Sequence, residues 1–173
     1  KMTKKTPLSL EELEKKAKIN FKDTALLKKA LTHSSFAKQH KTNLLTDNER
    51  LEFFGDAILK FVVSEYIYAQ YPSQTEGDLT KLRAHMISDK TLAEVATILC
   101  LGDYIQVSYS ESKSQGQYRS SILSDALEAI IGAYYLDSGI KKVTTFITQH
   151  IIKYKLKDLE KNPISDYKSQ LQE

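Results

Sequence analysis

Tryptophan is absent from this 173-residue chain, cysteine occurs once, and only three prolines and six glycines punctuate it. A single cysteine, Cys100, excludes an internal disulfide, and with no signal-like opening it predicts a reducing, cytoplasmic setting. So few breakers leave room for long helices. No apolar run approaches the ~20 residues that a membrane helix needs, so a soluble chain with no membrane contact is expected. One domain of ordinary size accommodates the length, and folding it would bury roughly 70% of the unfolded surface, enough for a core without staples. Met2 behind a lone Lys1 reads as a natural start preceded by one added residue.

A large net charge is also missing: the formal value is +3. The near balance hides a pattern. Residues 1–41 hold eleven lysines against four acids, and residues 42–80 hold two bases against seven acids. Residues 81–140 carry five bases and seven acids, and residues 141–173 seven bases and four acids. Basic ends around an acidic middle suit a polyanionic partner and an acidic site that holds cations, although ordinary solvated helix faces give the same counts.

Apolar residues recur three or four apart along most of the chain, which predicts an all-α fold. Ser9 with Glu12 forms a capping box for a first helix to about residue 16. Lys22 or Asp23 opens a second, and a polar loop over 39–47 follows. A long third helix runs from near Asn48 to just before Pro72, because proline disfavours helix in the residue before it. Residues 75–87 make a fourth helix. Ser88 or Asp89 caps a fifth, which stops at Leu101-Gly102 with Gly102 as its C-terminal cap. Residues 103–118 are the least helical part, with a short extended run at their start. Ser120 or Ser121 opens a sixth helix closed by Asp137-Ser138-Gly139, and a last one covers 140 to about 159.

Two of these helices carry acids in a pattern that needs explaining. At about 100° per residue, Glu49, Glu52 and Asp56 share an arc of roughly 60°, while Leu51, Phe54, Ile58, Leu59, Val62 and Tyr66 cover the opposite side. Lys60 is the one base in the acidic stripe. Like charges one turn apart repel on a bare helix, and a hard divalent cation with oxygen ligands would relieve them. Asp125 and Glu128 repeat the design one turn apart, beside a core stripe of Leu123, Leu127, Ile130 and Tyr134. Packed together, the two helices would bring four carboxylates to one pocket, a donor set for magnesium or manganese rather than zinc. Phe53 lies toward the acidic side of its helix. It either fills a crevice of the fold or plugs into a partner, and a self-complementary aromatic patch suits a two-fold dimer.

The run Asn48-Glu49-Arg50-Leu51-Glu52-Phe53-Phe54-Gly55-Asp56-Ala57-Ile58-Leu59 resembles the signature of the ribonuclease III family, with Phe54 where leucine is usual. Leu31-Thr32-His33-Ser34-Ser35, Glu76-Gly77-Asp78-Leu79-Thr80-Lys81-Leu82-Arg83-Ala84 and Asp89-Lys90-Thr91-Leu92-Ala93 extend the resemblance. So does Ser121-Ile122-Leu123-Ser124-Asp125-Ala126-Leu127-Glu128-Ala129, and order and spacing agree from about residue 10 to 155. The resemblance implies the helical ribonuclease III endonuclease-domain fold, about seven or more helices, in a homodimer. It implies a metal-dependent endoribonuclease that hydrolyses double-stranded RNA to 5′-phosphate and 3′-hydroxyl ends, in processing of messenger RNA and ribosomal RNA precursors. Mg²⁺ is the expected cofactor, with Mn²⁺ as a substitute.

Residue by residue, the resemblance assigns Glu52, Asp56, Asp125 and Glu128 to the metal and Asp56, Glu128, Glu49 and Glu76 to catalysis, Glu49 and Glu76 lining the cleavage cleft. It makes Phe53 the aromatic that enters a socket on the other subunit. Residues 165–173 resemble the opening of a double-stranded-RNA-binding domain. The chain therefore reads as a catalytic domain over 1–160, with 161–173 as linker and the beginning of that second domain.

Outside these motifs, His33 is expected as a satisfied helix-end histidine, Arg83 as half of a structural ion pair, and Cys100 as a small buried hydrophobe. Tyr66, Tyr68, Tyr134 and Tyr135 are expected in the core or an interface. One rival reading is a non-cutting RNA-binding module of the same fold, which the presence of all six acids opposes. A di-iron bundle is the other, and it fails because none of His33, His40, His85 or His150 has Glu three residues before it.

Overall fold

A computed structural model describes residues 9–41 and 46–161. Ten α-helical segments and no strand are found among them: α1 (Leu10–Ala17), α2 (Thr24–Ala30), α3 (Ser34–Gln39), α4 (Glu49–Gln70), α5 (Glu76–Met86), α6 (Asp89–Ile98), α7 (Tyr109–Lys113), α8 (Ser120–Ser138), α9 (Ile140–Ile147) and α10 (Lys153–Lys161).

Helix α8 is the axle. Ile122, Leu123, Ala126, Leu127, Ala129, Ile130, Ile131, Ala133 and Tyr134 are all buried along it, more sides of the helix than one amphipathic stripe can cover. Helix α4 lies along it most extensively, and α6, α2 and α9 occupy its remaining sides. The apolar stripe expected on α4 is inside, with Leu51, Ile58, Leu59 and Val62 buried and Phe54 and Tyr66 partly so. Phe54 meets Tyr135 edge to face with ring centroids 5.4 Å apart, so the larger residue at this position acts through packing.

The starts of the helices follow the capping signals. Ser9 Oγ accepts from the Glu12 N–H, Asp23 from Ala25, Thr75 from Asp78 and Ser88 from Thr91. Each of these caps satisfies a backbone donor left over by the first turn and is worth about 1 kcal/mol. Asn48 works differently: its side-chain amide donates to the Ala30 carbonyl at 3.3 Å and its N–H to the Thr32 carbonyl at 2.9 Å. It fastens the start of α4 to the end of α2, while Asp47 takes the free N–H of Glu49.

Several expectations are corrected. Helix α6 ends at Ile98, and the left-handed residue after it is Cys100 (φ 59°) rather than Gly102. Gly102 serves close packing instead, since a Cβ there would come within 2.4 Å of the Tyr118 ring. The 103–118 stretch contains α7 and a 3₁₀ turn, and its extended start amounts to one bridge, Thr32 with Gln106. Helix α3 fills the approach to the polar loop, of which residues 42–45 lie outside the described part. The last helix is α9 and α10 joined by a π-helical turn at Thr148–Ile152, where His150 Nε2 donates to the Ala17 carbonyl at 2.8 Å. Arg83 donates to Ser64 Oγ at 2.9 Å and not to an acid. Cys100 is half-buried rather than buried, and Tyr68, 77% exposed, lies outside the core of its own chain. His33 behaves as expected: it caps α3, its Nδ1 accepting from the Ser35 N–H. No helix among the described residues is long and apolar enough to cross a membrane. Residues 165–173 fall outside the described part.

Candidate active site

Two glycines decide how near α4 and α8 come. A Cβ on Gly55 would sit 1.8 Å from the Glu128 carbonyl oxygen, and one on Gly132 would sit 2.4 Å from the Leu51 carbonyl oxygen. Backbone therefore touches backbone in both directions, and only glycine permits that approach. The residue Gly55 abuts is itself one of the acids. Three residues before Gly55 on α4 and three before Glu128 on α8, Glu52 and Asp125 bring their carboxylates to the same space.

One carboxylate oxygen each from Glu52, Asp125 and Glu128 lies within 4.8 Å of the others, and all three residues are half-buried. Their electrostatics record the crowding. Burial pushes the Glu128 carboxyl up to about 8, helped by Asp56, Glu52, Asp125 and Asp89. Glu52 is raised by burial and then by Asp125, Glu49 and Asp56. Asp125 is raised by burial and by Asp89, against the opposing effects of His33 and the Ser124 hydroxyl. Carboxylates held this way are short of positive charge, and a donor set of oxygens alone fits a hard cation such as Mg²⁺ or Mn²⁺.

The other expected residues lie around this cluster or away from it. Asp56 is near enough to raise Glu128, yet its own carboxylate is engaged by Lys60 Nζ at 2.7 Å. Exposed Glu49 acts on Glu52 from the preceding turn. Glu76 is exposed at the start of α5, where it accepts from Thr80 Oγ1 at 2.9 Å and borders a groove with Phe61, Ser64, Tyr68 and Arg83. Phe53 is 81% exposed beside Leu136, itself 55% exposed, so it fills no crevice of its own chain.

Asp89 is the acid that sequence reasoning passed over. It is the first residue of α6, exposed, and it raises both Asp125 and Glu128. An acid in a first helical turn is ordinary because it complements the helix dipole, and that ordinary reason concealed its second setting.

An all-helical domain that gathers carboxylates from two facing helices into one base-poor cluster has a donor set that could hold a hard cation. Comparison with known proteins narrows the class. The family model described as Ribonuclease-III-like matches residues 23–155. Ribonuclease 3 of Listeria welshimeri is 43% identical over 163 residues, spanning 94% of this chain and 71% of the relative. Ribonuclease 3 of Bacillus licheniformis is 39% identical over 173 residues, or 100% of this chain and 69% of that one. The nuclease domain of ribonuclease III from Campylobacter jejuni superposes with a TM-score of 0.78 at 46% identity, covering 84% of this chain and 97% of that one. The chain belongs to the ribonuclease III family and is an endoribonuclease.

Proposed function

We propose that this endoribonuclease is a Mg²⁺-dependent homodimer that hydrolyses double-stranded RNA in the cytoplasm, each subunit cutting one strand to leave 5′-phosphate and 3′-hydroxyl ends. Its work is the processing of messenger RNA and the maturation of ribosomal RNA precursors. Residues 1–160 form the catalytic unit, and residues 161–173 lead toward a double-stranded-RNA-binding domain. The observation that carries the reading is the convergence of Glu52, Asp125 and Glu128, with the Glu128 carboxyl pushed up to about 8.

Glu52, Asp56, Asp125 and Glu128 would hold the ion, Asp56 by releasing Lys60. A divalent cation held there supplies a nucleophilic water at neutral pH and offsets charge developing on the phosphate. The chain's own residues supply the rest. Glu128, raised to about 8 in the ion-free protein, would have to release its proton to hold the ion. Glu49 and Glu76 line the cleft beyond the ion-holding set.

An acidic pocket repels a polyanion, so affinity must come from elsewhere: the eleven lysines of residues 1–41 and the basic last helix suit phosphate contacts. Recognition by A-form shape and 2′-hydroxyls, rather than base edges, follows from such contacts. Phe53 and Leu136, apolar and exposed side by side, support an aromatic plug in a two-fold dimer. The Campylobacter jejuni nuclease domain is described as having a region involved in dimer formation.

The test is cleavage of an end-labelled RNA duplex with Mg²⁺ by the parent and by Glu128→Gln. The parent is expected to cut and the variant to be nearly inactive; undiminished cleavage by the variant would remove Glu128 from the site.

A further inference from the structure

Outside the Glu52–Asp125–Glu128 cluster, two nucleophiles from different parts of the chain meet. Lys16 Nζ, on the last turn of α1, lies 2.7 Å from Cys100 Sγ, just beyond the end of α6, at a sequence separation of 84. Sulfur is larger than oxygen, yet this separation is at the short edge even for an N–H donor meeting an oxygen acceptor, about 2.7–3.2 Å. The pair is therefore closer than an amine hydrogen-bonding to a thiol. A direct N–S bond would bring the atoms much nearer still, whereas one oxygen atom bonded to both, with a bent angle, holds them about this far apart.

The surroundings suit a reaction there. Lys16 is exposed and Cys100 half-buried, so a small oxidant reaches both. Cys100 holds a left-handed backbone (φ 59°, ψ 33°) where glycine is usual after a helix. Tyr104 follows four residues after Cys100; burial raises its hydroxyl, with smaller effects from Glu12 and Cys100 in the same direction and from Lys16 in the opposite one.

We propose that Lys16 and Cys100 are a modification site at which peroxide forms a reversible nitrogen–oxygen–sulfur cross-link, tying α1 to the corner after α6. The atoms balance over two equivalents of hydrogen peroxide. The first oxidises the thiol to a sulfenic acid and releases water. The second oxidises the neighbouring amine to a hydroxylamine and releases water. Condensation of the hydroxylamine O–H with the S–OH expels a third water and leaves S–O–NH. Sulfur and nitrogen are oxidised, and the peroxide oxygens are reduced. Two equivalents of a dithiol reverse the change, restoring thiol and amine and releasing the bridging oxygen as water. The cross-link closes a long loop in the unfolded chain and so stabilises the folded one.

The experiment treats the full chain with hydrogen peroxide or with dithiothreitol and reads intact mass, peptide map and thermal midpoint. The oxidised parent is expected to gain about 14 Da, one oxygen less two hydrogens, and to yield a peptide joining residues 16 and 100 that dithiothreitol dissolves. Its midpoint should rise on the order of 5 °C above the reduced form. Lys16→Arg, a change at an exposed position, and Cys100→Ser should show neither effect. Three results overturn the proposal: successive gains of about 16 Da on Cys100 alike in parent and Lys16→Arg without a joined peptide; a disulfide between two chains; or a joined peptide lighter by two hydrogens, which marks a direct N–S bond.

Discussion

The two ends of α8 treat carboxylates in opposite ways. Near its start, Asp125 and Glu128 face other acids and burial, and both are raised. At its end, Asp137 accepts from the backbone N–H groups of Asp23 at 2.8 Å and Lys22 at 2.9 Å, and from the Ser138 hydroxyl at 2.7 Å. Burial alone would raise Asp137 as well, but those donors bring it below its ordinary value. A carboxylate supplied with donors is structural glue that fastens the start of α2 to the end of α8. One denied donors costs stability, and that cost is tolerable where a cation is to be bound.

The comparison can be broken most severely at Glu128. Glu128→Gln is expected to lower duplex cleavage on the order of a thousandfold, since a lost ion ligand removes several kcal/mol of transition-state stabilisation. Its thermal midpoint at neutral pH should lie above that of the ion-free parent, because the glutamate must take up a proton on folding there and the glutamine need not. Retention of more than a tenth of the parental rate would mean that the raised acids are not the working ones.

Gly55→Ala comes next. Its Cβ would drive α4 off the Glu128 carbonyl, so a loss of about 3 kcal/mol by chemical denaturation is expected, with weaker Mg²⁺ binding by calorimetry. Unchanged values for both would show that the glycine contact does not set the helix spacing.

pH separates the two ends without mutation. A raised acid binds its proton more tightly in the folded state, so the stability linked to Glu128 is complete below its unfolded value of 4.5 and is lost as pH rises through about 8. A lowered acid has the reverse sign: the stability from Asp137 is present above its unfolded value of 3.8 and lost as pH falls through its lower folded value. The ion-free protein should therefore gain stability from pH 8 down toward pH 4.5 and then lose it in stronger acid. Mg²⁺ should flatten the upper limb, and its affinity should weaken up to about tenfold per pH unit below 8. Melting curves across pH, with and without the ion, check this, and a rising upper limb in the ion-free protein contradicts it.

Asp137→Asn should cost about 1 kcal/mol, discounted for exposure, and leave Mg²⁺ affinity alone; altered ion binding would mean that the two ends are coupled. The smallest effect belongs to Lys60→Met, which frees Asp56 from an exposed pair worth at most about 1 kcal/mol. A slight tightening of Mg²⁺ binding is expected, and a weakening would argue that Lys60 assists the site.

Much of this was legible in the residues. The apolar stripes of α4 and α8 and the caps at Ser9, Asp23, Thr75 and Ser88 are local signals, and the structure follows them because nothing distant overrides them. Glu52, Asp125 and Glu128 could be grouped because each helix repeats an acid one turn apart. What could not be read depends on pairing across the fold. Gly102 looks like a helix stop until Tyr118 is seen against it, and Arg83 looks like an ion-pair partner until Ser64 is found nearer. Asp89 joins the acids only through the placement of α6 beside α8. Phe53 is the intermediate case: its place on the helix predicted an exception to the stripe, and exposure on the isolated chain removes the crevice within its own fold from the two explanations offered for it.

The mutual seating of Gly55 and Gly132 has one more consequence. Because main chain rests on main chain there, the gauge of the ion pocket is not held by any side chain that drift could enlarge or trim. Leucines and isoleucines deeper in the protein are free to be exchanged for one another over evolutionary time without widening the gap between the acids. The spacing of the acids is thereby tied to two positions that carry no side chain, and a single Cβ at either would widen it.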